Sequence, residues 1–263
     1  MSTSLFNHFQ SRGLEKRSRM VRDALAELFE VYLTNKLERT LVISAFVLVG
    51  FFIALHGVAI SLQFFGNEQD FLNLRQFRLD EDWGYAEIYN YLLTSACVTL
   101  LLRAFLVSGQ RVYLGWAIVF AFVVLDDALM IHEWVGDHLA SVAPTLPGLR
   151  AEDTGELIGW GAASEVLLLP LVWGPRGSTQ DAIGFGTVFA IIFVLLCFCA
   201  MGVDMLHVVV GAKSRFASAL LGIVEDGGEM LTLALAFACS LLLHRRSIFM
   251  GRQSHGISAH GPS

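Results

Sequence analysis

The sequence predicts an all-α integral membrane protein: a bundle of six transmembrane helices preceded by an amphipathic N-terminal helix. Three observations lead there. Apolar residues make up 55% of the chain and charged residues only 16%, with a mean hydropathy of +0.59, too apolar for an ordinary soluble domain. The apolar residues fall in long runs, each close to the roughly 20 residues that cross a hydrocarbon core. Basic residues flank those runs in unequal numbers on alternate sides.

Taken in order, residues 1–11 read as disordered, and residues 14–37 (LEKRSRMVRDALAELFEVYLTNKL) as an amphipathic helix. Val21, Leu25, Leu28 and Tyr32 fall on one stripe, with Ala24 and Leu33 beside it, and Arg17, Arg19, Arg22 and Lys36 are available to the other side. Such a helix lies on a membrane surface against anionic lipid, or packs on the bundle or a partner. No apolar run stands near the start, so the first span is expected to act as a signal anchor.

Six spans follow: 40–64, 86–107, 112–135, 154–173, 182–211 and 217–243. This divides the chain into a cytoplasmic segment 1–39, a membrane bundle 40–243 and a flexible cytoplasmic tail 244–263. Cys97, Cys197, Cys199 and Cys239 all sit inside apolar runs and offer no disulfide framework. Of the 18 basic residues, thirteen fall on the side that holds both termini and five on the other, which puts the termini in the cytoplasm of a plasma (bacterial inner) membrane. The loop 65–85, with Asp80, Glu81 and Asp82, then lies outside.

The polar residues within the spans follow a pattern. After an apolar run from Val112 come Asp126, Asp127, His132, Glu133, Asp137 and His138. On one continuous helix, Asp126, Glu133 and Asp137 share a face. Glu156 opens the fourth span, Asp204 and His207 come late in the fifth, and Glu225, Asp226 and Glu229 lie early in the sixth. The alternating directions of the spans gather all of these in one layer near the outer interface. Intramembrane charge costs roughly 2.5–3.5 kcal/mol per residue on insertion scales, so such a layer needs partners, water or metal.

Carboxylate and imidazole groups on facing helices are how bundles build metal sites. Asp126, His132, Glu133, Glu156, Asp204, His207, Glu225 and Glu229 are the candidate ligands of a divalent metal (Zn, Fe or Mn), and Glu133 or Glu229 is the candidate general base of a metal-dependent enzyme acting on a lipid-like substrate. Asp137 and His138 read as interfacial. Gly227 and Gly228 admit close approach of another helix or a ligand. Three other functions fit the same residues. One is proton or cation transport through the acidic layer. The second is a b-type haem held by two of His56, His132, His138 and His207. The third is an assembly subunit of a membrane complex, with a membrane protein or a second copy as partner. The lipid bilayer is the primary partner, with anionic lipid at the N-terminal helix, and no nucleic-acid partner is expected.

Overall fold

The computed structural model describes residues 3–65, 74–144, 146–211 and 214–257. Helix makes up 87% of it, and no strand occurs among the described residues. The elements are α1 (Thr3–Thr34), α2 (Lys36–Phe65), a 3₁₀ turn (Arg75–Phe77), α3 (Tyr85–Ser108), α4 (Arg111–Ala128), α5 (Ile131–Leu139), α6 (Ala151–Trp173) and α7 (Gln180–Cys197). A π-helical segment (Phe198–Val203), α8 (Asp204–Gly211) and α9 (Arg215–Ile257) complete the chain. Five helical stretches are long and apolar enough to cross a membrane; a sixth is added if α4 and α5, bent by 67°, count together.

Local chemistry sets the boundaries. α1 stops where Thr34 and Asn35 turn their side chains back onto the carbonyls of Glu30 and Val31, at 2.8 and 2.9 Å, an alternative to continuing the backbone ladder. Gly109 closes α3 in the left-handed conformation (φ 69°), its N–H donating to Phe105 O, as only glycine does without cost. Thr179 caps α7 by accepting from the Ala182 N–H at 3.3 Å. Asp153 in the first turn of α6 accepts from the Arg150 backbone N–H at 2.7 Å and from its guanidinium at 2.6 Å.

The largest core cluster lies toward the end of the bundle where α2 begins. Trp116 and Phe120 of α4, Phe185 and Phe189 of α7, Leu101 of α3 and Leu243 of α9 fill it. A second cluster joins Val49 and Phe52 of α2 to Leu93 of α3 and Met230 of α9. Large apolar side chains such as Val47, Leu92, Leu106, Leu169 and Val194 point outward.

The structure departs from the sequence-based expectations in three places. The third span is not one helix. It breaks at Leu129 and Met130, and Met130 takes a left-handed backbone (φ 52°), so Asp126 no longer shares one straight face with Glu133 and Asp137. The segment after residue 243 is not a flexible tail as far as Ile257. It continues α9, because its basic residues find acids on other helices: Arg245 Nε lies 3.2 Å from Glu38, and Arg246 pairs with Glu27 of α1. Residues 258–263 lie outside the described residues. Of the settings open to the amphipathic helix, α1 takes the one on the bundle. Ala24 and Leu28 are buried in the core cluster, and Gly184 of α7 admits the close approach: a Cβ there would stand 3.0 Å from Met20 O. Leu25, Phe29 and Leu33 remain exposed on the opposite side of α1. Residues 3–11, read as disordered, fall within α1 as well, while residues 1–2 lie outside the described residues.

Candidate functional site

A cavity of about 530 Å³ opens at the end of the bundle opposite the start of α2. It lies among α3, the α4–α5 break, the start of α6, the π segment, α8 and the first half of α9, with residues 79–82 across it. Among the described residues, fifteen acids line it, against one arginine (Arg150) and one histidine (His132).

Two backbone irregularities shape this cavity. The α4–α5 break turns His132, Glu133 and Asp137 into it. The π segment, a form that concentrates at functional sites, supplies Ala200 and Met201 to the wall and sets Asp204 at the start of α8. Glycines let these unusual elements seat. α5 lies on α6 through Gly136 and Gly155: a Cβ at Gly155 would stand 2.5 Å from Gly136 O. The π segment lies on α9 through Gly228, where a Cβ would stand 2.5 Å from Cys199 Sγ, and Gly227 faces Ile53 of α2. The Gly227–Gly228 pair therefore admits two neighbouring helices.

Seven of the eight candidate ligands line the cavity: Asp126, His132, Glu133, Glu156, Asp204, Glu225 and Glu229. Asp126 is buried and its Oδ2 lies 3.0 Å from His132 Nδ1. Glu133 stands exposed in the first turn of α5. The eighth, His207, faces away, with Nδ1 2.7 Å from Glu225 Oε2 and Nε2 2.8 Å from Ser218 Oγ. Among the described residues, no three His, Cys, Asp or Glu side chains are gathered closely enough to hold a metal ion directly.

The sequence reading missed several lining residues: Asp80, Glu81 and Asp82 of the loop, Glu87 and Asn90 of α3, and Asp153. Asp137, read as interfacial, also reaches the cavity. The i, i+3 spacing of Glu87 and Asn90 at the start of an apolar run was a usable signal. Asn90 Oδ1 is buried without a hydrogen-bond partner, an acceptor turned to no donor. Among the described residues, no hydrogen bond or ion pair reaches the side chains of Asp127 or Glu229. Glu165 is exposed on α6 and is not part of the lining.

Residues 74–84 are pinned across the cavity from one side. The Leu79 N–H donates to Nδ1 of the buried His56 at 3.0 Å. Arg75 pairs with Glu81 at 2.7 Å, and Arg78 with Asp80. Burial pushes the Asp80 carboxyl up, but the Arg78 hydrogen bond, the Arg78 charge and nearby His56 outweigh it, and its pKa is lowered. A lowered carboxyl contributes stability that is present above its unfolded pKa and is lost as pH falls through the folded value. Asp80→Asn is therefore expected to raise hydrogen exchange at the Leu79 amide at neutral pH. In wild type the Asp80 contribution persists to pH values below the ordinary carboxylate range. Equal exchange in both proteins at neutral pH would show that Asp80 does not hold the segment.

Residues 40–244 match the family described as Domain of unknown function (DUF8692). No curated protein matches the chain, and no solved structure does.

Proposed function

The chain belongs to the DUF8692 family, and we propose that it is a six-span membrane protein whose cavity faces outward and binds a divalent cation. One observation carries the reading: among the described residues, fifteen acids share a cavity with one arginine and one histidine. Crowded carboxylates in low dielectric are costly unless protons, water or a cation compensate them. The unpaired Asn90 Oδ1 adds a neutral oxygen donor. Thirteen of the 18 basic residues lie toward the side of the termini, which supports cytoplasmic termini and an outward cavity.

The carboxylates ring the cavity and do not converge, which suits an ion that keeps part of its water. Of Zn, Fe and Mn, the last is the most oxygen-preferring and fits best. Asp126, His132, Glu156, Asp204, Glu225 and Glu229 are the inner ligands in this reading. Glu133 at the mouth and Glu229 deeper in are placed to accept a proton from cation-bound water in a hydrolytic reaction. Phe193 and Leu233 line the cavity's apolar side, and Phe193 packs on the aromatic core beneath. That favours a one-sided site over a path through the bundle. With both of its ring nitrogens engaged, His207 is poorly placed as an axial haem ligand.

The test is calorimetric titration of detergent-purified protein with Mn²⁺, alongside elemental analysis. Stoichiometric binding, weakened more than about tenfold by Glu156→Gln with Glu229→Gln, is the expected result. Heat of binding that is absent, or unchanged in that variant, rules out the cavity as the site.

A further inference from the structure

Behind the cavity wall, where α8 meets α9, Ser218, His207 and Glu225 stand in a chain. Ser218 Oγ is 2.8 Å from His207 Nε2, and His207 Nδ1 is 2.7 Å from Glu225 Oε2. Both distances lie within hydrogen-bond reach of a nucleophile, its base and the base's orienting acid. In the tautomer with the ring proton on Nδ1, that proton is donated to Glu225. Nε2 then accepts from the Ser218 hydroxyl, the tautomer that a serine nucleophile requires.

The surroundings hold this arrangement and leave it reachable. Ser218 and Glu225 are seven residues apart on α9, so they share one helix face two turns apart. The imidazole is bounded by two glycines. A Cβ at Gly211 would stand 3.1 Å from both His207 Cδ2 and Ser218 Oγ, and one at Gly222 would stand 3.6 Å from His207 Cε1. Glycine at 211 thus leaves the hydroxyl uncovered on that side. None of the three residues is fully buried; the His207 side chain is 31% exposed. The nearby helix surface is apolar, with Phe216 74%, Leu220 53% and Leu206 50% exposed. Ser218 lies one turn from the start of α9. In a bilayer that places it close to the interface, at the depth of lipid ester carbonyls.

We infer that Ser218, His207 and Glu225 form a serine-nucleophile site for carboxylic esters of lipids. Ser218 Oγ attacks the ester carbonyl carbon while its proton passes to His207 Nε2. The bond to the alcohol oxygen breaks, and His207 returns the proton to the leaving alcohol, giving an acyl-Ser218 ester. Water then attacks that ester, again losing a proton to His207, and releases the carboxylic acid and free Ser218. Only water and the ester are consumed. The lipid part of this inference rests on the membrane reading above and not on the cation reading.

The test uses full-length protein in detergent and in vesicles. A fluorophosphonate probe is expected to label wild type on Ser218. Ser218→Ala should abolish labelling, and His207→Ala should slow it at least about a hundredfold, with Mn²⁺ binding intact in Ser218→Ala. Folded wild-type protein that resists the probe, with Ser218→Ala and His207→Ala merely lowering Tm, overturns the site in favour of a structural clasp between α8 and α9. Labelling with turnover of a short soluble ester but none of a phospholipid ester in the same vesicles overturns the lipid assignment. Resistance to alkaline extraction from those vesicles tests the membrane reading separately.

Discussion

Gly155→Ala is expected to destabilise the bundle by about 3 kcal/mol, roughly a 10 °C loss in Tm. The reason is backbone meeting backbone. The new methyl would sit 2.5 Å from Gly136 O and 3.0 Å from Gly136 Cα. No rotamer relieves that contact, so α5 has to lift from α6. Because α5 carries His132, Glu133 and Asp137 into the cavity, Mn²⁺ binding should weaken in the same variant. Gly161→Ala is the control. Nothing lies within 4 Å of a Cβ there, and alanine gains up to about 1 kcal/mol over glycine in a helix. The two variants should therefore move Tm in opposite directions. Equal Tm values would show that α5 and α6 have room for a methyl group between Gly136 and Gly155.

Arg246→Ala is expected to cost about 2 kcal/mol and to free α1 for proteolysis. Arg246 is a three-way tie at the far end of the bundle. It pairs with Glu27 of α1, lies 3.7 Å from Asp181 of α7, and stacks over the Phe185 ring at 4.9 Å. Its side chain is only 17% exposed. Removing it takes the common cation from both acids, and breaking a pair from one side is costlier than removing both. The partial exposure of Glu27 brings the figure below that of a fully buried pair. Arg246→Met combined with Glu27→Gln should recover much of the loss. Limited proteolysis between α1 and α2, read by mass spectrometry, distinguishes a loosened α1 from global unfolding. Cleavage at the wild-type rate in Arg246→Ala would mean that Ala24 and Leu28 hold α1 by packing alone.

Hydropathy placed α2, α3 and α6 to within about four residues at each end, because lipid-length apolar runs carry their own signal. The alternating direction of the spans was enough to gather seven of eight candidate ligands in one cavity. Several features had no local signature. The α4–α5 break occurs at Leu129 and Met130, with neither glycine nor proline to mark it. The π segment adds a residue to a turn without changing the apolar pattern. The helix beyond residue 243 looked like a tail because its neutralising acids, Glu38 and Glu27, lie more than 200 positions away. Three residues apart in the fifth span, Asp204 and His207 stand about 60° apart on one helix face. The fold instead gives His207 the partners Glu225 and Ser218 on α9. A serine seven residues before a glutamate on one helix face was the one available clue.

The length of α9 has a mechanical consequence. Its 43 residues make a rod of about 64 Å, twice the thickness of a hydrocarbon core. Eleven residues separate Arg246 from the helix end at Ile257, so about 16 Å of it projects past the layer where Arg246 meets Glu27 and Asp181. The same unbroken rod carries Glu225 and Glu229 at the cavity. A load applied to the projecting end acts on a stiff lever whose other arm bears the carboxylates, with α1 as its nearest fulcrum.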